Sequence, residues 1–327
     1  MRSLNPYALS LSAASALLVA CGGSQPPIGA PGAMPQGRAI AQHAAHGGSW
    51  MLPEAKKQDL LYVGDQEGHV YIFSYPNGIK MGTLDVAPYA MCPDSAGDIF
   101  MTKIVGSSSE IIEYAHGGTT PIATLGDPGF AHGCSVDPAT GNLAVTNFTS
   151  GSNLGGVVIY QNAQGTPQSF TDANFYTYAF CGYDSAGNLF INGSGPGPSY
   201  VFKLAELPAG ASTFTDFTLD VGSVIPGSAQ WDGSYVAMGT YGAKRIDQVT
   251  VSGSEAHVVH VIHLRGLKKP AYQYWIQGST ILTASGANRK GLGFWKYPTG
   301  GRAFKTIKGF LQPKAWVNSV TVSLAPR

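Results

Sequence analysis

The sequence is poor in charged residues and in catalytic motifs, and both shortages narrow what the protein can do. Charged side chains make up 12% of its 327 residues, and the formal net charge is +1. This balance predicts no polyanion-binding face, so nucleic acid is not an expected partner. The chain also has no phosphate loop, no Gly-x-Ser-x-Gly elbow, no Cys-x-x-Cys pair and no His-Glu-x-x-His segment. The commonest signatures of nucleotide, acyl-transfer, redox and zinc chemistry are therefore missing.

Cysteines are few as well: the chain has Cys21, Cys92, Cys134 and Cys181. The last three fall in segments that we interpret below as innermost strands. Cys134 and Cys181 each stand three residues before an aspartate, whereas Cys92 stands two before one, so strand alternation predicts that Cys92 faces the other way. The spacing is compatible with a Cys134–Cys181 disulfide in an oxidising compartment, and also with three small buried side chains.

A short apolar strand that returns at a regular interval is the main feature of the rest of the chain. Its interval is about 40 to 50 residues, and each interval has room for four strands separated by turn residues, which is typical of a propeller blade. The recurring strand is the second of the four in each interval. Its copies are at 61–63, 99–101, 143–145, 189–191, 235–237 and 281–283. The pattern predicts an all-β fold with six blades.

The first and last blades are expected to be joined by the C-terminus. The first repeat has no predicted first strand before residue 60. An alternating run at 316–323, however, follows the fourth strand of the sixth repeat. This run can lie beside residues 61–63, which leaves no open edge between the two blades. We therefore predict one six-bladed β-propeller over residues 50–327, closed by its C-terminal strand.

The N-terminal segment has the pattern of an export signal. Arg2 precedes an apolar core at residues 7–20, and the core ends in Leu18-Val19-Ala20-Cys21. This tetrapeptide resembles the lipobox of bacterial lipoproteins. The resemblance implies a signal peptide at 1–20 and a lipid on the Cys21 thiol, which anchors the chain to a membrane. Residues 21–49 are rich in Gly, Pro and Ala and predict a flexible, disordered tether.

The expected location follows from the same resemblance. Gly22, and not an aspartate, comes directly after the cysteine. In lipoprotein systems of the enteric type this implies sorting to the outer membrane. The protein is thus expected in the cell envelope, facing the periplasm or the cell exterior.

The turns between first and second strands carry a second resemblance. They read DSAGDIF at 94–100, DPATGNL at 137–143 and DSAGNLF at 184–190. This Asp-x-x-Gly-Asn turn is similar to that of six-bladed bacterial propellers of the NHL-repeat and gluconolactonase-like kind, over residues 60–327. Gluconolactonase-like enzymes hold a divalent metal inside the channel with carboxylate and amide ligands, so the resemblance implies that a metal site is to be looked for there.

Candidate ligand-binding residues come from the starts of the first strands, which are expected to surround an exposed channel mouth. They are His132, Tyr178, Gln230, Gln273 and Asn318. None is a carboxylate, and hard divalent cations prefer oxygen ligands that include carboxylates. We therefore expect no metal and no cofactor. A rim of aromatic and amide groups suits a neutral polar ligand such as a sugar or a peptide, although such groups also simply fill a narrow channel.

Two functions remain open at this point. The first is a membrane-tethered binding or scaffold module for a glycan, a peptide or a protein partner. The alternative is a lactonase-like hydrolase or lyase with a metal site in the propeller channel. The sequence identifies no catalytic residue for the second.

Overall fold

The computed structural model describes residues 48–148, 155–197, 201–219, 225–241, 243–267, 273–285 and 290–327. The predicted signal peptide, the predicted lipid-attachment residue Cys21 and nearly all of the predicted tether lie outside these residues. Gly48–Arg327 forms one compact unit. Within the described ranges, no helix is both long enough and apolar enough to cross a membrane.

The regular structure of the described residues is almost entirely β-strand, which confirms the predicted all-β class. Apart from two short 3-10 turns at Pro53–Lys57 and Gln161–Ala163, every regular element is a strand. In chain order the strands are β1 (Trp50–Met51), β2 (Leu60–Asp65), β3 (Val70–Ser74), β4 (Lys80–Leu84), β5 (Met91–Pro93), β6 (Ile99–Val105), β7 (Ser108–Tyr114), β8 (Pro121–Asp127), β9 (Phe130–Val136), β10 (Leu143–Phe148), β11 (Gly156–Tyr160), β12 (Gln168–Phe170), β13 (Thr177–Tyr183), β14 (Leu189–Ser194), β15 (Phe202–Leu207), β16 (Thr215–Phe217), β17 (Ile225–Trp231), β18 (Val236–Tyr241), β19 (Arg245–Ser252), β20 (Glu255–Arg265), β21 (Trp275–Gln277), β22 (Thr280–Ser285), β23 (Gly291–Lys296), β24 (Gly300–Lys308) and β25 (Val317–Ser323).

Successive strands pair as antiparallel meanders of four. Strands β5 to β8, β9 to β12 and β13 to β16 each make a separate sheet. Strands β17 to β20 and β21 to β24 are two further meanders, joined into one eight-stranded sheet where Leu264 and Arg265 of β20 pair in parallel with Gly301 and Arg302 of β24. The four-strand repeat read from the sequence is thus present in the fold.

The C-terminal strand completes the first sheet, as the sequence predicted. Strand β25 pairs antiparallel with β2, from Leu60 opposite Ser323 to Asp65 opposite Val317, and every residue of β25 is buried. The sequence did not predict β1, which pairs with the outer edge of β4 and covers it.

The innermost strands follow one another in a ring. Contacts run from β5 to β9, β13, β17, β21 and β25, and then back to β5. One buried cluster joins side chains from three of these inner segments: Ala90 beside β5, Ala179 and Phe180 in β13, and Ala229 in β17. The interior of the ring is therefore packed at this level, while the larger apolar clusters lie between neighbouring sheets.

The repeated aspartate turn is explained by hydrogen bonding. Asp184 Oδ1 accepts the backbone N–H groups of Ala186 and Asn188, at 2.8 and 2.9 Å. Gly187 has a φ of +84°, a conformation that glycine adopts without strain. Aspartate is favoured at the start of such a turn because its side chain replaces a backbone acceptor.

Candidate functional site

A cavity of about 250 Å³ opens at the ends of the innermost strands β5, β9, β13 and β17 and beside the start of β21. For the first four strands this is the end opposite to the strand start, where the sequence analysis expected a site. Its most prominent side chains are aromatic: Tyr183, Trp231 and Trp275, each partly exposed. Gln230 and Gln273, two of the predicted ligand-binding residues, also line it.

The wall of this cavity presents one carboxylate among its described residues, that of Asp184. Besides the two backbone N–H groups of its turn, its Oδ2 accepts the Asn188 side-chain amide at 2.9 Å. Three hydrogen bonds thus hold this carboxylate in the turn. The rest of the wall offers aromatic faces and hydroxyls, whereas a hard cation prefers several oxygen ligands that include carboxylates.

The two tryptophans are oriented by neighbours. Trp231 stacks on Phe190, with ring centroids 6.2 Å apart and planes 7° apart. Its indole Nε1 is buried and finds no hydrogen-bond partner among the described residues. Trp275 Nε1 donates to Gln277 Oε1 at 3.2 Å. Trp231 thus retains an unused donor beside the cavity, whereas the donor of Trp275 is committed.

Tyr183 stays protonated in this setting. Burial raises the pKa of its phenol by removing the phenolate from water, and the nearby Cys181 and Asp137 raise it further. The Tyr183 backbone N–H donates to Ser135 Oγ at 3.0 Å. At neutral pH the phenol is a neutral hydrogen-bonding group with an aromatic face.

A disulfide joins Cys92 of β5 to Cys134 of β9 at the cavity wall, with Cα atoms 5.8 Å apart. The Cys134–Cys181 pairing considered from the sequence is therefore wrong, and Cys181 is a buried free thiol whose pKa is raised by burial. Cys134 Sγ and Cys181 Sγ each lie near a carbonyl of the preceding sheet, those of Phe100 and Ala144. Cys134 and Cys181 occupy equivalent positions on their sheets, so each faces the preceding sheet and the two thiols cannot meet.

The offset of Cys92 is what allows the bond. Cys92 lies opposite Phe100, the second residue of β6, whereas Cys134 lies opposite Val145, the third residue of β10. Cys92 is therefore one residue closer to the turn after its strand than Cys134 is. Strand alternation then directs Cys92 forward to the next sheet and Cys134 back to the preceding one. The sequence analysis identified the different facing of Cys92 but did not consider it as the partner of Cys134.

His132, the first of the predicted site residues, is enclosed by aromatic rings. Its imidazole lies 4.5 Å from Tyr89, 5.0 Å from Phe148 and 4.9 Å from Phe180, centroid to centroid. Burial lowers the pKa of His132 to about 4, and a hydrogen bond to Ala179 O opposes this in part. The ring is therefore neutral at pH 7, with Nδ1–H donating to Ala179 O at 2.8 Å.

Tyr178 does not reach the ring interior. It packs in the apolar cluster with Phe175, and its hydroxyl donates to Asp172 O at 3.1 Å. A bulge between Tyr178 and Phe180 inserts Ala179 into β13 and reverses the facing of the residues before it. Period-two counting from the sequence could not see this bulge.

The three amides serve as backbone partners between inner segments. Gln230 exchanges two hydrogen bonds with Ile276, both 2.8 Å long. Gln273 does the same with Met91, donating at 2.6 Å and accepting at 3.1 Å. Asn318 Nδ2 donates to Pro88 O at 3.0 Å.

The expected exposed rim is therefore not what these residues form. Relative exposure is 7% for His132, 1% for Tyr178, 4% for Gln273 and 6% for Asn318, and Gln230 is half-buried. A role for them in ligand binding stays a prediction. The cavity aromatics were missed, although Tyr183 and Trp231 each stand directly before a turn aspartate, a position that the sequence displays.

An acidic group lies elsewhere, in the sheet of β5 to β8. Asp94, Asp98 and Glu113 bring carboxylate oxygens within 4.8 Å of one another. Burial raises the pKa of Asp94 and of Glu113, and the neighbouring carboxylates raise both further. Asp94 accepts the Asp98 N–H and Asp98 accepts the His116 N–H. These contacts hold the turn, and the group is outside the cavity lining.

Comparison with known proteins identifies the fold and nothing more specific. No family model matches the chain, and no curated protein matches it. A chain in the crystal structure of a nidogen/laminin complex is similar at a TM-score of 0.65 and 13% identity, covering 82% of this chain and 100% of that one. A chain of a mitotic checkpoint complex gives 0.52 and 16%, covering 76% and 73%. The WD40 repeats of RRP9 give 0.52 and 12%, covering 74% of each. Together with the sheets described above, these similarities show that the chain has a β-propeller fold.

Proposed function

We propose that this protein is a six-bladed β-propeller, held at a cell-envelope membrane by a lipid on Cys21, and that it binds a neutral polar ligand in the cavity at the ends of its first strands. The ligand is a sugar or a peptide segment, the latter presented by a protein partner. The observation that carries this proposal is the cavity wall, where Tyr183, Trp231 and Trp275 surround a space whose one carboxylate, Asp184, is held in its turn by three hydrogen bonds.

The size and chemistry of the cavity limit what can enter. About 250 Å³ is smaller than the roughly 300 to 1,000 Å³ of sites for drug-sized ligands. One sugar ring or one peptide side chain fits this volume. The aromatic faces provide apolar contact area for either of these groups.

A protein partner is supported by what the similar folds assemble with. The similar chains named above come from a nidogen/laminin complex and a mitotic checkpoint complex, both of which are protein assemblies. At 13% and 16% identity these similarities support a binding or scaffold role for the fold and do not identify a partner.

Six blades and a lipid anchor are supported separately. The circular order of contacts among β5, β9, β13, β17, β21 and β25 gives one inner strand for each blade. The lipobox-like Leu18-Val19-Ala20-Cys21 supports the anchor. A Cys21→Ser variant is expected to leave the membrane fraction and to stop incorporating labelled fatty acid. A wild-type protein that stays soluble would contradict the anchor.

The lactonase-like alternative has no described residue in its favour. It requires carboxylates inside the channel, and the clustered Asp94, Asp98 and Glu113 do not line the cavity. The binding proposal is therefore the one to test.

Glycan and peptide arrays provide that test. We expect the wild-type chain to bind a subset of neutral probes, and a Trp231→Ala/Trp275→Ala variant to lose them. Tyr176→Ala is the matched control, because this exposed aromatic residue is not among the lining residues. Melting curves establish that each variant is folded. The proposal fails if the wild type binds no probe, or if its probe still binds the double variant.

A further inference from the structure

The acidic and basic residues of this chain are separated along the sequence. All 19 Asp and Glu residues lie at or before Glu255, whereas 11 of the 20 Lys and Arg residues lie after it. The net charge of +1 conceals this division, because it averages an acidic main part with a basic C-terminal part. A charge imbalance of this kind produces a field that acts on partners well beyond contact distance.

Most of the described basic residues after Glu255 fall on the β21 to β24 sheet and its surroundings, while Arg327 follows β25. Two of them are structural: Lys305 Nζ donates to Pro76 O and Asn77 O, both at 2.7 Å, and Lys290 Nζ donates to carbonyls in the link before β25. Five more on or beside this sheet are exposed, namely Arg265, Lys296, Arg302, Lys308 and Lys314. Among the described residues, no ion pair neutralises any of these five.

Two arginines are placed side by side at the junction of the two meanders. Arg265 of β20 and Arg302 of β24 are register partners in the parallel pairing, and both are exposed. Like charges directly opposite each other destabilise a sheet. An anion bound between the two guanidinium groups removes that repulsion and accepts their paired N–H donors.

The outward face of β24 continues this surface. Alternation places Arg302, Phe304, Thr306 and Lys308 on one face, and all four are exposed, with Phe304 at 56%. An exposed aromatic ring between cationic side chains is the combination found where proteins lie on a lipid headgroup layer. Phe304 also packs edge-on against the buried Phe294, with ring centroids 6.2 Å apart, so its ring is held at this surface. A free phosphate has no use for an apolar ring, whereas a headgroup layer does.

The acidic part of the propeller is on other sheets. The β5 to β8 sheet carries Asp94, Asp98, Glu110, Glu113 and Asp127 against Lys103 alone. An anionic surface therefore attracts the β24 side and repels this one, so that the field orients the domain.

The start of the described chain lies close to the basic face. Strand β1 covers the outer edge of β4, and the turn between β3 and β4 is the one that Lys305 of β24 contacts. A tether that leaves from Gly48 thus starts on the sheet adjacent to the basic one.

We propose that Arg265, Arg302, Phe304 and Lys308, here called the β24 face, dock on the anionic headgroups of a lipid bilayer. The choice of a lipid bilayer as the anionic surface rests on the proposed lipid anchor. Binding of the β24 face to anionic headgroups does not require that anchor. Docking in this orientation fixes the direction in which the ligand cavity faces.

Vesicle co-sedimentation of the full chain carrying Cys21→Ser tests this without an acyl anchor. The probes are vesicles of phosphatidylcholine alone and of an equal mixture of phosphatidylcholine and phosphatidylglycerol. The N-terminal segment is the same in every variant, so its contribution is common to the β24-face variant and its control. We expect preference for the anionic vesicles, lost as salt shortens the Debye length from about 10 Å to about 3 Å.

The Arg302→Glu/Lys308→Glu variant should lose at least about tenfold in affinity for the anionic vesicles, since each cation near an anionic leaflet contributes about fivefold. Lys56→Glu/Lys57→Glu is the matched control, because it makes a comparable charge change at two exposed lysines of the 3-10 turn that follows β1. Equal binding to both vesicle types, or equal loss in both variants, overturns the proposal. Binding to heparin without binding to vesicles also overturns it, in favour of a soluble polyanion. Acylation is measured separately, so a failure of the anchor is distinguishable from a failure here.

Discussion

Gln273 and Met91 exchange two hydrogen bonds although they are 182 residues apart in the chain. The Gln273 side chain donates to Met91 O at 2.6 Å and accepts from Met91 N at 3.1 Å. A side-chain amide here replaces a neighbouring strand, because it offers one donor and one acceptor with the spacing of a peptide group. Gln230 repeats the arrangement with Ile276. These contacts join inner segments that have no ladder between them.

Gln273→Ala should destabilise the propeller although it removes no apolar contact. It leaves the Met91 N–H and C=O unpaired in a buried place, at a cost of about 1 to 3 kcal/mol for each group. Thermal unfolding should show a lower Tm, while Gln312→Ala, at an exposed position, should not. If the two variants melt together, the amide contributes nothing to stability. This corrects the expectation that these amides stand on a rim of little structural importance.

Stability should depend on His132 between about pH 4 and 6.5. The folded-state pKa is lowered to about 4, whereas the unfolded histidine has its ordinary value, so the unfolded state binds the extra proton as the pH falls through this window. The free energy of unfolding therefore falls with decreasing pH, by up to about 3 kcal/mol from this group.

His132→Gln isolates the contribution of this one group. Glutamine can still donate to Ala179 O, so the difference in unfolding free energy between wild type and variant should narrow from pH 7 to pH 4. The exposed His257→Gln is the control and should track wild type. A difference that stays constant with pH would show that His132 does not titrate in this way.

A second disulfide should form when Ser135 is replaced by cysteine. Ser135 occupies on β9 the place that Cys92 occupies on β5, and its Oγ accepts from Tyr183 N of the next sheet. Cys181 faces back toward β9 as Cys134 faces β5. Mass spectrometry of the unreduced Ser135→Cys variant should find the introduced thiol linked to Cys181, beside the native disulfide. Val136→Cys, whose side chain packs toward the β5 sheet, should stay a free thiol; linkage in both or in neither would contradict the facing rule.

Removing residues 316–327 should lower the stability of the propeller far more than removing a disordered tail does. The deletion removes β25, which is buried at every residue and pairs along the whole of β2. An unpaired edge remains in the first sheet, and the ring loses its link between β21 and β5. Since about 1 kcal/mol already shifts the Tm of a domain of this size by about 2 °C, calorimetry should detect a fall many times larger. A deletion of residues 22–47 serves as the control and should leave the Tm unchanged; a truncated protein that melts near wild type would refute closure by β25.

The sequence by itself determined the strand repeat, the turns and the closing strand. Each depends on short-range physics: alternation of apolar residues, aspartate and glycine in tight turns, and the balance of strands between the two ends of the chain. That is why the residue pattern alone was enough to place the segment at Val317–Ser323 beside Leu60–Asp65. The separation of acidic from basic residues was also readable from the sequence, but it becomes a surface only when the sheets are placed.

The tertiary structure alone decided which residues meet. Bulges at Ala179 and along β17 reverse the alternation on which the predicted channel residues depended. Cys92 pairs with Cys134 because neighbouring sheets present opposite faces, a relation between sheets that no single strand encodes. Tyr183 and Trp231, the last residues of β13 and β17, meet Trp275, the first residue of β21, because neighbouring inner strands of a ring lie side by side although they are far apart in sequence.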